Sequence, residues 1–252
     1  EQIEFLKDIV RIPSQRGLEE QAQMFMADAM ADLGLQVDKW VIDVERIKDH
    51  PGFSPVSISY ENSWNVVGTH QPRNASGRSL VLNGHIDVVP TGAAERWTYG
   101  PYEPEIKDGW MYGRGAGDMK SGLSANLYAL KALQSIGLQP AAKVYVQSVV
   151  EEECTGNGAL DCVLRGYVAD AGFIPEPLEP KLLRGQIGPI WIRVEVSGAP
   201  GHASGDFGLG ADAIYNAIQL IQSLRELEER WNARKKDYPP FQNHPHPINF
   251  NV

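Results

Sequence analysis

One histidine and several carboxylates stand where strands should end in this sequence. His85 and Asp87 follow an apolar run at residues 80–82, which is typical of a strand buried on both faces of a sheet. An imidazole with a carboxylate two residues further on suits a metal ligand and the group that orients it. A loop histidine hydrogen-bonded to a neighbouring aspartate accounts for the same pattern equally well, so this stretch alone leaves both interpretations open.

Further acidic residues occupy similar places. Glu151, Glu152 and Glu153 follow another apolar run, and three carboxylates crowded at the end of a buried strand repel one another unless a cation is present. Asp118 lies in a glycine-rich stretch that opens a helix, and Glu176 lies in a loop where, alone, an ordinary surface glutamate is the simpler interpretation. Taken together with His85, these acids suit Zn²⁺, Mn²⁺ or Co²⁺, and one bridging carboxylate would allow two metals.

The glycine-rich stretch is not a nucleotide site. Gly113, Gly115 and Gly117 do not have the G-x-G-x-x-G spacing, and Met119 stands before Lys120 where a P-loop has glycine. The net charge of −9 also argues against a nucleic-acid surface, which needs clustered lysine and arginine.

Composition narrows the class of protein. With 252 residues, 42% hydrophobic and 22% charged, the chain is of ordinary globular type and forms one large domain or two modest ones. We expect no membrane partner, because no apolar run reaches membrane-spanning length and no signal peptide opens the chain. The two cysteines, Cys154 and Cys162, provide no disulfide framework, and we expect a cytoplasmic location.

Strand and helix patterns alternate along most of the chain. Strands are predicted near residues 35–41, 64–69, 80–85 and 143–150, and helices near 3–10, 22–33, 123–133 and 157–165. Residues 43–63 and the long connection from 91 to 112 are expected to be irregular. This pattern predicts an α/β fold with a mixed, largely parallel sheet flanked by helices, whose strand ends form the ligand crevice.

The last segment differs in pattern. Residues 189–197 alternate as a half-exposed antiparallel strand does, a glycine-rich loop carries His202, a long amphipathic helix follows, and residues 248–252 begin a further strand. His244 and His246 lie in a polar, proline-rich loop, where a metal site is a weaker interpretation than a surface loop. This change in pattern predicts a domain boundary near residue 184.

Five motifs in order resemble the co-catalytic zinc hydrolases that include acetylornithine deacetylase, succinyl-diaminopimelate desuccinylase, aminoacylase and carboxypeptidase G. They are GHIDVVP at residues 84–90, GRGAGDMKSG at 113–122, EEECTGNGA at 151–159, EP at 176–177 and GAPGHAS at 198–204. The resemblance implies a zinc-exopeptidase-like catalytic, metal-binding domain at residues 1–184, followed by the first half of an α+β lid and dimerisation domain at residues 185–252.

The resemblance also assigns metal ligands. His85 and Glu176 would hold one Zn²⁺, Asp118 would bridge two, and Glu153 would hold the second with a histidine from a C-terminal segment. Co²⁺ or Mn²⁺ could replace zinc. A cis peptide is implied between Asp118 and Met119.

The remaining roles concern catalysis. Asp87 would orient His85, Glu152 would be the general base toward metal-activated water, and His202 would reach the partner subunit's site in a homodimer. The implied function is hydrolysis of the amide bond of a small N-acyl amino acid or related compound. The alternatives are an aminopeptidase or dipeptidase on the same site, or a catalytically inactive dimerising or binding module.

One departure from the family affects the expected activity. Family members continue for a further segment, whereas this sequence stops at Val252, before the second metal's histidine. We expect the 252-residue chain by itself to bind at most one metal tightly and to show little or no hydrolysis.

Overall fold

The computed structural model describes residues 1–178, 181–183, 188, 190, 192–199 and 212–252. The chain divides into two compact units, Glu1–Glu179 and Pro180–Val252, and each is described here by itself. The assignment of residues 185–252 to a lid and dimerisation domain stays a prediction.

The first unit alternates helices and strands, as predicted. Its helices are α1 (Gln2–Arg11), α2 (Glu20–Asp32), α3 (Val44–Ile47), α4 (Lys120–Ser135) and α5 (Asn157–Leu164). Its strands are β1 (Gln36–Val41), β2 (Trp64–His70), β3 (Leu80–His85), β4 (Glu105–Lys107), β5 (Trp110–Tyr112), β6 (Val144–Val149) and β7 (Ala171–Phe173).

Five of these strands form one mixed sheet in the order β1-β2-β6-β3-β7. Strand β3 pairs in parallel with both β6 and β7, while β2 pairs antiparallel with β1 and β6. The predicted fold class is therefore confirmed. Because β3, β6 and β7 run in one direction, their carboxyl ends lie at the same edge of the sheet, and the residues that follow them meet there.

The two faces of the sheet carry separate apolar clusters, because successive side chains of a strand point to opposite sides. On one face, residues of α1, α2 and α4 pack against the sheet, including Ile9, Met26, Met30, Leu123, Leu127, Val66, Leu82 and Val146. On the other, Trp40, Val67 and Val149 pack around Cys162 of α5. Helix α4 approaches β3 so closely that a Cβ at Gly84 would lie 2.8 Å from a methyl group of Leu123. A side chain at position 84 would therefore force Leu123 to shift.

Two local expectations are wrong in the first unit, and one strand was not predicted. The connection from 91 to 112 contains a 3₁₀ turn at Ala94–Arg96 and the antiparallel hairpin β4–β5, and the region from 43 to 63 contains α3. The side chain of Asp43 caps α3 by accepting from the N–H of Glu45. Strand β7 has only three residues, all exposed, so it lacks the apolar alternation by which sequence analysis recognises strands.

The second unit contains the predicted long helix, α6 (Ala213–Ala233), which Asp212 caps at its start. The strands predicted at 189–197 and 248–252 are absent from the residues described there. A strand needs a partner backbone to hydrogen-bond with, which apolar alternation alone does not supply, and Ile192 and Val194 are 71% and 54% exposed. Across the described parts of both units, no helix combines the length and the apolar character needed to cross a membrane.

Candidate metal centre and catalytic site

His85 is the last residue of β3, and its side chain is 1% exposed. Its Nδ1 lies 2.9 Å from the main-chain carbonyl oxygen of Asp87. Because a carbonyl oxygen can only accept, Nδ1 must carry the hydrogen. The other ring nitrogen, Nε2, faces a group of carboxylates.

Three side chains from different parts of the chain converge at this point. Asp118 Oδ1 lies 3.1 Å from His85 Nε2, and Glu176 Oε1 lies 3.8 Å from it. The ligand atoms of His85, Asp118 and Glu176 all lie within 4.8 Å of one another. Asp118 precedes α4 by two residues, Glu176 follows β7, and the peptide between Asp118 and Met119 is cis, as the resemblance implied.

The loop after β6 brings a further carboxylate, that of Glu152, to the cluster. Glu152 Oε2 lies 3.7 Å from His85 Nε2, and Glu152 is 47% exposed. The backbone N–H groups of Glu152 and Glu153 donate to the two carboxylate oxygens of Asp87, at 3.4 and 3.1 Å. The buried carboxylate of Asp87 therefore holds this loop. The main-chain carbonyl oxygen of Asp87 orients His85.

Glu151 does not join the other acids. Its side chain is fully buried and accepts hydrogen bonds from Arg16 and Tyr60. The expectation that three carboxylates crowd together at this strand end is wrong for Glu151, because an arginine far away in the sequence pairs with it. Of the run, Glu152 lies beside the cluster, and Glu153 follows it in the same loop.

The electrostatics of the cluster reflect an excess of negative charge. Burial alone lowers the pKa of His85, but the surrounding carboxylates, Asp87 first among them, outweigh burial and raise it to about 10. Burial, reinforced by neighbouring carboxylates, raises the pKa of Glu176 to about 7, and burial also raises the pKa values of Glu152 and Glu153. A divalent cation would relieve this repulsion.

The donor set fits such a cation. It combines one imidazole nitrogen, whose other nitrogen is already hydrogen-bonded, with carboxylate oxygens from separate elements. That combination of ligands suits zinc, manganese or cobalt, and the fixed imidazole hydrogen is the usual outer support of a metal-bound histidine. His85, Asp118 and Glu176 can therefore hold a metal ion.

Two buried ionisable side chains near the site were not anticipated from the sequence. Lys120 is fully buried and donates through Nζ to the carbonyl oxygens of Ile9 and Ile12, at 3.0 and 2.8 Å, and burial lowers its pKa to about 7. Glu19 is also fully buried, and burial raises its pKa to about 7. Neither residue stands in a local pattern that marks it as buried, so no sequence signal identifies them.

The predicted histidines of the second unit are placed as follows. His202 lies outside the described residues. His246 Nε2 lies 2.7 Å from Glu228 Oε1 of α6, so this ring is hydrogen-bonded within its own unit.

Comparison with known proteins identifies the family. The sequence profile described as Peptidase family M20/M25/M40 matches residues 81–247, and the chain belongs to this family. The resemblance drawn from the five motifs is confirmed. The family is metal-dependent. His85, Asp118 and Glu176, called here the His85 cluster, supply side chains that can hold the metal.

Curated relatives include a deformylase and a desuccinylase. The chain is 36% identical over 238 residues to an N-formyl-4-amino-5-aminomethyl-2-methylpyrimidine deformylase of Halalkalibacterium halodurans, covering 88% of this chain and 51% of that protein. It is 26% identical over 245 residues to a succinyl-diaminopimelate desuccinylase of Psychromonas ingrahamii, covering 93% of this chain and 59% of that protein. The chain thus spans about half the length of the curated relatives it matches.

A solved structure supports the fold. The M20 family metallo-carboxypeptidase Sso-CP2 from Sulfolobus solfataricus aligns with a TM-score of 0.55 and 20% sequence identity, covering 69% of this chain and 37% of that one. At this identity the likeness shows a shared fold.

Proposed function

We propose that this member of peptidase family M20/M25/M40 hydrolyses the amide bond of a small N-acyl compound at the His85 cluster. The observation that carries the proposal is the meeting of a buried imidazole, the carboxylates of Asp118 and Glu176, and Glu152 at one sheet edge. Two relatives in the same family are named as a deformylase and a desuccinylase, which remove an acyl group from an amine.

Zinc is the metal we propose, with cobalt or manganese as substitutes. His85 and Glu176 would hold the first ion, Asp118 would bridge, and Glu153 would contribute to a second. When bound, such ions polarise the substrate carbonyl and lower the pKa of water.

Glu152 is the residue we propose for proton transfer. Its carboxylate borders the cluster, its backbone is fixed by Asp87, and its pKa is raised by burial toward the range where a general base works well at neutral pH. Glu152 would take a proton from the attacking water and deliver it to the nitrogen of the leaving amine. Such a group typically contributes about 10²–10⁴-fold to the rate.

The wider assembly is part of the same proposal. The protein would form a homodimer through residues 185–252, and His202 would stabilise the developing oxyanion in the partner subunit's site. We propose a cytoplasmic location, with neither nucleic acid nor membrane as a partner. The two cysteines are free thiols, which suits a reducing compartment.

A substrate panel tests the activity. The full-length protein, freed of metal and reloaded with Zn²⁺, Co²⁺ or Mn²⁺, should cleave at least one of the N-formyl, N-acetyl and N-succinyl amines. We expect its kcat/KM on that substrate to be at least about 10-fold higher than on unblocked dipeptides, because a pocket that hydrogen-bonds the acyl group loses partners with other substrates. Preferred cleavage of dipeptides would favour the peptidase alternative. Hydrolysis of none of these compounds by metal-loaded protein would refute the proposal and favour a binding module.

A further inference from the structure

Residues 151–153 form what we call the acidic loop. Glu151 is its first residue, yet the side chain of Glu151 points away from the metal cluster. It is fully buried, whereas Glu152 is 47% exposed beside His85. The φ angle of Glu151 is +68°, in the left-handed region that a residue with a side chain adopts only when surrounding contacts stabilise it. The contacts of its carboxylate provide that stabilisation.

Four hydrogen bonds hold this carboxylate. Arg16 donates through Nε to Oε1 and through Nη2 to Oε2, the second at 2.8 Å. Tyr60 donates its hydroxyl to Oε2 at 2.6 Å, and Thr155 donates its hydroxyl to the same oxygen at 2.9 Å. The two-pronged contact of a guanidinium with a carboxylate fixes direction as well as distance.

The backbone of the same loop is held from the other side. The carbonyl oxygen of Glu151 accepts from the N–H groups of Thr155 and Gly156, at 2.9 and 2.8 Å, which closes the loop on itself. The N–H groups of Glu152 and Glu153 donate to the Asp87 carboxylate. The backbone of Glu152 and Glu153 is thus held between Asp87 and the Glu151 contacts.

Arg16 is itself attached to the segment that carries Asp87. The hydroxyl of Ser14 donates to the carbonyl oxygen of Ile86 at 2.6 Å, and the N–H of Val88 donates to the carbonyl oxygen of Ser14 at 3.0 Å. Segment 14–16 therefore runs beside segment 86–88. A displacement of Arg16 would alter both supports of the acidic loop.

We propose that the Arg16–Glu151 ion pair is a positioning device that directs Glu152 and Glu153 toward the His85 cluster. The inference rests on the proposed function of that cluster. Arg16 and Glu151 do not take part in proton transfer or metal binding; they act through the two glutamates that follow.

Amide hydrogen exchange in the metal-free protein measures directly how firmly the backbone of the acidic loop is held. The variants are Arg16→Met, Glu151→Gln, the double variant, and Arg16→Lys, which keeps the charge but loses the two-pronged contact. The double variant is included because Arg16→Met leaves a buried charge unpaired, which can prevent folding. Arg165→Met is the matched control: Arg165 also pairs with a carboxylate, at 2.7 Å from Asp38, and is 34% exposed against 27% for Arg16.

We expect the amides of residues 152 and 153 to exchange at least about 10-fold faster in Arg16→Met, Glu151→Gln and the double variant, with other amides unchanged. In the full-length protein, kcat should fall about 10–100-fold with KM within about twofold, as is usual when the outer supports of a site are removed, and Arg16→Lys should recover part of the loss.

A different pattern would overturn the inference. If Arg16→Met and Arg165→Met raise exchange equally over the whole chain, the Arg16–Glu151 pair merely stabilises the fold. Unchanged exchange at residues 152 and 153 would also refute the positioning role. If no substrate is hydrolysed by the parent protein but exchange rises only in the acidic loop, the proposed function fails and the positioning role stands.

Discussion

His85 and Asp87 are joined through the backbone of Asp87: Nδ1 of His85 lies 2.9 Å from the main-chain carbonyl oxygen of Asp87 and 3.5 Å from its carboxylate Oδ1. The carboxylate is instead occupied by the N–H groups of Glu152 and Glu153. One residue therefore supports two parts of the site with two different groups. A substitution of the Asp87 side chain can separate them.

Asp87→Asn should impair the acidic loop and leave the histidine in place. The amide nitrogen of asparagine cannot accept a hydrogen bond, so one of the two loop contacts is lost, whereas the carbonyl oxygen bonded to His85 remains. We expect kcat to fall about 10–100-fold while the affinity for the first metal changes less than about threefold. Kinetics and equilibrium metal titration measure the two effects. Loss of metal as severe as in His85→Ala would mean that the carboxylate, and not the carbonyl, orients the imidazole.

The adjacent glutamates should respond differently to the same substitution. Glu152→Gln removes the proposed base, and we expect kcat to fall by about 10²–10⁴-fold with metal content near that of the wild type. Glu153→Gln removes a proposed ligand and should lower metal content. Metal analysis after gel filtration, together with steady-state kinetics, separates the two variants. Equal metal loss in both would show that the roles are wrongly assigned.

Buried Glu19 should make stability depend on pH. Burial raises its pKa from 4.5 to about 7, so the folded protein holds the proton more tightly than the unfolded chain. The stability contributed by this proton is fully present below pH 4.5 and is lost as the pH rises through 7.

Glu19→Gln should therefore be near neutral at low pH and stabilising at high pH. Since one pKa unit corresponds to about 1.4 kcal/mol, we expect a gain in the free energy of unfolding of up to about 3 kcal/mol at about pH 8 and little change near pH 5. Urea unfolding at both pH values measures this gain in the free energy of unfolding. Glu20→Gln, at an exposed position of α2, is the control and should show no such difference. A pH-independent effect of Glu19→Gln would contradict the prediction.

Subunit mixing tests whether His202 acts in the partner's site. In the full-length protein, His202→Ala and Glu152→Gln should each be inactive, because one lacks the donated histidine and the other the base. A random mixture should regain about a quarter of the wild-type activity, since half of the dimers are mixed and each has one complete site. Failure to regain activity, with subunit exchange demonstrated by mass spectrometry, would mean that His202 does not act across the dimer.

Much of the first unit was predictable from local patterns. The apolar runs before His85 and Glu151 identified β3 and β6, because strands buried on both faces have few polar residues. The placement of chemically reactive side chains directly after these strands indicated where the site would form. The hairpin β4–β5 and strand β7 were missed, since three-residue strands are too short to show a period.

The sequence by itself determined which residue types stand at the strand ends, and thus the family, the α/β fold and a candidate ligand set of one histidine with carboxylates. Only the tertiary structure decided how the adjacent acids divide: Glu151 pairs with an arginine 135 residues away, while Glu152 faces His85. The physical reason is that hydrophobic periodicity reports burial along one element, whereas the direction of a loop side chain depends on partners that folding brings from elsewhere in the chain.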